Sequence, residues 1–120
     1  MGARVLIVDD EPEICEELAE FLEMRGHVPV LAHSVPDALV LLGGDRFDLV
    51  VTDFRLGRGS GLDVVAAART TQGDSPVLLV SGQLTAETER AALGAGATRC
   101  IGKPLDPRIV LTILSGPAGA

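Results

Sequence analysis

Residues 4–11 read Arg-Val-Leu-Ile-Val-Asp-Asp-Glu, and this stretch decides the predicted fold. The run at 5–8 is apolar throughout, without the alternation of polar and apolar residues that is typical of a strand with one solvent-exposed face. Such a run predicts a strand buried on both faces of a sheet. The three acidic residues that follow it would then lie where that strand ends.

The same pattern, a short apolar run followed by an amphipathic stretch, recurs along the chain. It predicts further strands at residues 28–32, 48–52, 76–80 and 98–102, and helices at 13–24, 34–42, 62–70, 85–93 and 106–115. Pro29 interrupts the second strand, which favours an edge position for it. The predicted fold class is therefore α/β: a doubly wound five-stranded parallel sheet, in the order 2-1-3-4-5, flanked by helices.

Composition restricts the classes of function. The chain has 120 residues, 47% of them apolar, which suits one domain with an aliphatic core. Its net charge of −7 argues against direct nucleic-acid binding, which needs clustered Lys and Arg, and against an anionic membrane surface as partner.

Cys15 and Cys100 are too few and too far apart for a disulfide framework. Because we recognise no signal peptide or membrane span, we expect a cytoplasmic location.

Polar side chains follow four of the five predicted strands at the point where each strand ends. Asp9 and Asp10 follow the first strand, Asp53 the third, Ser81 the fourth and Lys103 the fifth. Ligands of open parallel sheets bind at this edge, in the crevice where the strand order reverses. We therefore expect three carboxylates, one hydroxyl and one ammonium group to converge there.

This combination of groups favours metal-assisted phosphoryl transfer. Two unit charges about 4 Å apart interact by roughly 4 kcal/mol at an effective dielectric near 20, so three clustered carboxylates need a cation. Hard oxygen ligands without His or Cys favour Mg²⁺. A carboxylate can attack phosphorus, provided that the phosphoryl oxygens are neutralised. Asp53, on a central strand, is the predicted phosphoacceptor, with Ser81 and Lys103 as contacts for phosphoryl oxygens.

These motifs, in this order and over essentially the whole chain, resemble the receiver domain of two-component response regulators. The matching residues are Val8-Asp9-Asp10-Glu11, Asp53, Gly61, Ser81-Gly82 and Lys103-Pro104. The resemblance implies a flavodoxin-like receiver fold over residues 1–115, with 116–120 as a frayed tail or a linker stub.

The resemblance also implies roles and partners. Asp10 and Asp53 would bind Mg²⁺ together with the backbone carbonyl of Arg55, Asp9 would act through a metal-bound water, and the Lys103–Pro104 bond would be cis. The chain would be a regulatory phosphoacceptor rather than an enzyme, assisting its own phosphorylation and slow dephosphorylation. Its partners would be a sensor histidine kinase or a histidine phosphotransfer protein, and a second copy of the chain through the fourth and fifth helices.

Four positions depart from the family pattern. Cys100 stands where most relatives carry the Tyr or Phe that swings inward during switching, so this chain cannot transmit a switch in that way. Gly57 replaces a proline that is common after the phosphorylation site. Arg55 and Gln83 occupy positions that tune the loss of phosphate in relatives, which predicts an altered dephosphorylation rate.

Each site residue also has a purely structural explanation, and other functions remain open. The acid pair could cap the first helix, Ser81 and Gly82 could form an ordinary turn, and Lys103 could be a solvated surface residue. A receiver that serves only for docking remains an alternative. An aspartate-nucleophile phosphatase is disfavoured because Arg55 stands where such enzymes want a second acid. A flavin- or nucleotide-binding domain is disfavoured because the acids after the first strand would repel phosphate.

Three further polar residues receive no functional role from the sequence. His27 and His33 flank the predicted edge strand, and we interpret both as surface residues away from the crevice. Cys15 lies on the first helix, where it is expected to be packed against the sheet.

Overall fold

The sheet consists of five parallel strands, each followed by a connection that carries a helix. In the computed structural model, which describes residues 2–115, the chain forms seven strands and five helices. The strands are β1 (Arg4–Val8), β2 (Val28–Ala32), β3 (Leu49–Asp53), β4 (Arg55–Leu56), β5 (Gly59–Ser60), β6 (Val77–Ser81) and β7 (Arg99–Gly102). The helices are α1 (Pro12–Glu23), α2 (Val35–Gly44), α3 (Gly61–Gln72), α4 (Ala86–Ala95) and α5 (Pro107–Leu114). The expected tail at 116–120 lies outside the described residues.

The strand order of the main sheet is β2-β1-β3-β6-β7, with every pairing parallel. This confirms the predicted order 2-1-3-4-5, because β4 and β5 form a separate two-stranded antiparallel ribbon in the loop after Asp53. Pro29 lies on the edge strand β2, as predicted, and its neighbour in the sheet is Val5. Strand order therefore reverses between β1 and β3, which places the crevice at their carboxyl ends.

Both faces of the sheet are covered, because alternate residues of each strand point to opposite faces. Leu6 and Val8 of β1 pack into a cluster with residues of α2, α3 and α4, whereas Val5 and Ile7 pack into a second cluster with residues of α1 and α5. All five residues of β3 and all five of β6 are buried. This double burial explains why the strands read as apolar runs.

Several predicted boundaries are wrong by one or two residues. β3 includes Asp53 itself, and α3 begins at Gly61, directly after the ribbon. α2 continues through Gly43 and Gly44, two residues beyond its predicted end at residue 42, and it closes with a bond from the Asp45 amide to the Leu41 carbonyl. Glycine lowers helix stability but does not forbid a last turn. The two-residue strands of the ribbon are too short to produce a sequence pattern.

Side-chain caps fix the starts of α2, α4 and α5. Ser34 accepts a hydrogen bond from the Asp37 amide at 3.2 Å, Thr85 from the Thr88 amide at 3.1 Å, and Asp106 from the Arg108 amide at 3.0 Å. Each cap satisfies a backbone donor that has no partner within its own helix, typically contributing about 1 kcal/mol. No helix within residues 2–115 combines the length and apolar character needed to cross a bilayer.

Gly61 occupies a position that requires glycine. Its amide donates to the carbonyl of Phe54 at 2.7 Å, which brings the start of α3 against the end of β3. A Cβ at residue 61 would overlap the backbone carbonyl oxygen of Asp53. The close approach of these two segments fixes the loop beside Asp53.

We therefore expect Gly61→Ala to lower the free energy of unfolding by about 1–3 kcal/mol, the usual cost of overpacking. Gly43→Ala is the matched control, because a Cβ at exposed Gly43 of α2 meets no atom within 4 Å. That variant should gain up to about 1 kcal/mol from helix propensity. Urea unfolding followed by circular dichroism measures both, and equal stability of the two variants would contradict the packing argument.

Candidate functional site

Three carboxylates meet at the carboxyl ends of β1 and β3. Val8 of β1 pairs with Thr52 of β3, so the residues that follow them emerge side by side. One carboxylate oxygen from each of Asp9, Asp10 and Asp53 lies within 4.8 Å of the other two. The predicted convergence of the three acids is therefore present in the structure.

A backbone amide holds one oxygen of each carboxylate. Asp9 Oδ1 accepts from the Glu11 amide at 2.9 Å, and Asp53 Oδ1 accepts from the Phe54 amide at 2.9 Å. Asp10 Oδ2 accepts from the Gly57 amide at 3.0 Å. Asp9 and Asp53 are each only 6% exposed, whereas Asp10 is exposed to solvent. The three acids are therefore oriented before any ligand binds.

Lys103 brings a positive charge to the same site. Its Nζ donates to Asp53 Oδ2 at 3.0 Å, and its backbone amide donates to the Ser81 carbonyl at 2.8 Å. The Lys103–Pro104 peptide bond is cis, as the resemblance implies. Burial lowers the pKa of Lys103, but the hydrogen bond and the charge of Asp53 outweigh burial and leave that pKa raised. The side chain is therefore an ammonium ion at neutral pH.

The balance of charge at the site remains negative. Burial raises the pKa of the Asp9 carboxyl, and the nearby charge of Asp53 raises it further, against the opposing effect of the Glu11 amide. One ammonium group faces three carboxyl groups, so their mutual repulsion is only partly offset. The donors are carboxylate oxygens, two of them on buried residues, and this set fits a hard divalent cation such as Mg²⁺.

The hydroxyl of Ser81 is close to the site but is bonded within its own turn. Ser81 Oγ donates to the Gln83 carbonyl at 3.0 Å and accepts from the Gln83 amide at 3.1 Å. Ser81 lines a cleft together with Asp53 and Lys103. To donate to a group bound at Asp53, the hydroxyl must therefore give up the hydrogen bond that it donates to the Gln83 carbonyl.

Two clefts of different character meet at Asp53 and Lys103. The first is a largely apolar cleft of about 690 Å³, lined by Ile14, Leu18 and Phe21 of α1 and by Pro104, Leu105 and Pro107 among others. The second is a polar cleft of about 770 Å³, lined by Arg55, Ser81, Gln83, Thr85, Glu87 and Thr88 among others. Asp53 can therefore be approached from two sides although its side chain is almost fully covered.

Two residues near the acids were missed or misplaced by the sequence analysis. Gly57 donates its amide to Asp10 and has a positive φ of 60°, so a proline there could neither make this bond nor adopt this backbone. The interpretation of His33 as remote from the crevice is wrong, because its Nδ1 lies 3.0 Å from the backbone carbonyl oxygen of Asp9. Its exposure is as expected. Neither contact has a periodic signal in the sequence.

The cysteines behave as small, unreactive side chains. Cys15 is buried, as expected, and burial together with the charge of Asp9 raises the pKa of its thiol to about 11. Cys100 is half-buried on β7 and packs against the apolar cluster shared by α2, α3 and α4. Burial raises the pKa of its thiol as well. Both are therefore thiols, not thiolates, at neutral pH.

Replacing Asp9 with Asn should stabilise the protein when metal is removed. Asn keeps the oxygen that accepts from the Glu11 amide but removes one of three crowded charges. Because the folded pKa of Asp9 is raised, its ionisation costs stability as the pH rises from the ordinary value of 3.8 through the folded value. Urea unfolding in a chelator should show Asp9→Asn to be more stable than the original protein near neutral pH, with the difference vanishing in acid. Lower stability of the variant near neutral pH would contradict this account.

Comparison with known proteins agrees with the geometry of the site. A family model described as the response regulator receiver domain matches residues 5–115. The response regulator MprA of Mycobacterium ulcerans (strain Agy99) is 35% identical over 104 residues, which cover 87% of this chain and 45% of MprA. The chain thus spans about half the length of the curated relatives that it matches.

Solved structures of similar proteins show the same fold. A response regulator from Burkholderia pseudomallei, solved with a phosphorylated aspartic acid, a calcium ion and citrate, superposes with a TM-score of 0.89 at 31% identity, covering 98% of this chain and 69% of that one. The beryllofluoride-activated NtrC4 receiver domain dimer superposes with a TM-score of 0.81 at 31% identity, covering 92% of each chain. From the acids at the sheet edge and these matches together, we conclude that this chain belongs to the family of response regulator receiver domains.

Proposed function

We propose that Asp53 accepts a phosphoryl group from a phosphohistidine donor in a Mg²⁺-dependent reaction, and that phosphorylation switches the interaction of this domain with a partner. The observation that carries the proposal is the cluster of three carboxylates within 4.8 Å, with Lys103 bonded to the most central of them. Residues 1–115 would form the whole phosphoaccepting unit.

The covalent step uses the carboxylate of Asp53 as nucleophile. One of its oxygens would form a bond to phosphorus while the bond between phosphorus and the donor's imidazole nitrogen breaks. The electron pair of the broken bond stays on that nitrogen, so the donor leaves as imidazole. The product is an acyl phosphate on Asp53, and the cleft beside Arg55 and Gln83 gives this group access to water.

The acids fit the role of a Mg²⁺ site. Asp10 and Asp53 would bind the ion directly together with the backbone carbonyl of Arg55, and Asp9 would hold a water bound to it. The bound ion supplies positive charge that offsets the charge of the phosphoryl oxygens and of the acceptor. The calcium ion and phosphorylated aspartic acid named for the Burkholderia pseudomallei relative support this assignment by analogy.

Lys103 and Ser81 would contact the transferred group. The ammonium of Lys103, already 3.0 Å from Asp53 Oδ2, would pair with one phosphoryl oxygen, and the Ser81 hydroxyl would donate to another. Because that hydroxyl must first release the Gln83 carbonyl, phosphorylation would alter the turn that leads into α4. This rearrangement would carry the signal without an aromatic residue at Cys100. Arg55 and Gln83 line the cleft beside Asp53, and an altered dephosphorylation rate remains our prediction for them.

The partners follow from this chemistry. The donor would be a sensor histidine kinase or a histidine phosphotransfer protein, encountered in the cytoplasm. Two copies would pair through α4 and α5, and the dimer named for the NtrC4 receiver domain supports pairing itself by analogy. We propose no direct contact with nucleic acid or membrane, in keeping with the net charge of −7. The domain would act as a regulatory phosphoacceptor that assists its own modification, not as a turnover enzyme.

Intact mass after incubation with acetyl phosphate and Mg²⁺ tests the proposal. We expect the gain of one phosphoryl group, and we expect it to disappear in Asp53→Asn and in the presence of a chelator. Asp74→Asn is the matched control, because Asp74 is exposed in the loop before β6, at the opposite edge of the sheet. An unmodified original protein would favour the docking-only alternative, and modification that persists in Asp53→Asn would exclude Asp53 as the acceptor.

A further inference from the structure

The backbone carbonyl of Asp9 has two side-chain neighbours that the proposed chemistry does not use. His33 Nδ1 lies 3.0 Å from this oxygen, and Cys15 Sγ lies 3.5 Å from it. The amide of Asp9 donates to the Ala32 carbonyl at 3.1 Å. Both backbone groups of Asp9 are therefore tied, the amide to the end of β2 and the carbonyl to His33 and Cys15.

The direction of these bonds follows from the acceptor. A carbonyl oxygen cannot donate, so the contact requires a proton on Nδ1 of His33. The Cys15 thiol is a weak donor toward the same oxygen. The distance of 3.8 Å between Cys15 Sγ and His33 Nδ1 fits two donors that share one acceptor. The neutral ring of His33 is therefore held as the tautomer with hydrogen on Nδ1.

These bonds control the geometry of the acid pair. The peptide unit that joins Asp9 to Asp10 is planar, so an anchored Asp9 carbonyl also fixes the direction in which the chain continues to Asp10. Asp10 is exposed, and its carboxylate is held by the Gly57 amide at 3.0 Å rather than by burial. Anchoring the backbone before Asp10 thus limits where its carboxylate can lie relative to Asp53.

We propose that His33 is a positioning residue for the acid pair, whose Nδ1–H bond to the Asp9 carbonyl holds Asp9 and Asp10 in the arrangement that binds the divalent cation. This inference rests on the proposed function, since it concerns the same cation site. His33 acts through the backbone of Asp9 and makes no contact with the ion. Because its ring is exposed, replacing it leaves both apolar clusters intact.

The test compares Mg²⁺ dissociation constants of the full chain, measured by calorimetric titration. His33→Leu has no donor, whereas His33→Asn is similar in shape and keeps an N–H donor near the position of Nδ1. We expect His33→Leu to weaken Mg²⁺ binding about three- to tenfold, the scale of one lost hydrogen bond, and His33→Asn to remain near the original value. His27→Leu is the control and should leave Mg²⁺ binding unchanged. It removes only the bond that His27 accepts from the Ala3 amide, at the opposite end of β1.

Unchanged binding in His33→Leu, or equal weakening in His33→Leu and His33→Asn, would overturn the proposal. Nitrogen chemical shifts of the neutral His33 ring give a second readout that needs no variant: we expect hydrogen on Nδ1, and hydrogen on Nε2 would overturn the proposal. Failure of the proposed function is distinguishable, because the original protein would then bind no Mg²⁺ and accept no phosphoryl group, whatever the tautomer of His33.

Discussion

The parallel pairing of β1 with β3 places Asp9 and Asp53 side by side at the carboxyl edge of the sheet, and the rest of the site follows from this constraint. Like charges held this close raise the free energy of the folded state unless a cation lies among them. Lys103 supplies one positive charge, bonded to Asp53. The remaining negative charge makes a divalent ion the natural complement of the fold.

Burial of the aliphatic core stabilises the folded state and offsets the repulsion between the carboxylates. Both faces of the sheet are covered, and fully buried Leu and Val side chains such as Leu6, Leu78 and Leu79 remove apolar surface from water on each side. The acids lie at the edge of this core, where backbone amides can hold them and solvent can still reach Asp10. A rigid sheet therefore fixes the positions of charged groups that would otherwise move apart.

The sequence predicts those features that depend on periodicity and on strand ends. Apolar runs predict the five strands, their order and the meeting of Asp9, Asp10, Asp53 and Lys103, because every strand of a parallel sheet ends at the same edge. Helix caps such as Ser34 are also predictable, because they act on residues close in sequence.

Two kinds of feature escape prediction: contacts between groups that are distant in sequence, and elements that are too short to produce a repeating pattern. The bond from Gly57 to Asp10 spans 47 positions and the contact of His33 with Asp9 spans 24, and neither leaves a repeating signal. The two-residue ribbon is below the length at which alternation can be recognised. The orientation of the Ser81 hydroxyl depends on the turn at Gln83, which the sequence alone does not specify.

Crystals of the protein grown with Mn²⁺ in place of Mg²⁺ test the central claim most directly, since anomalous scattering locates the ion without reference to motifs. The account predicts one strong peak at the carboxyl ends of β1 and β3, bound by the carboxylates of Asp10 and Asp53. A peak elsewhere, or one at this edge that lacks Asp53 as a ligand, would contradict it.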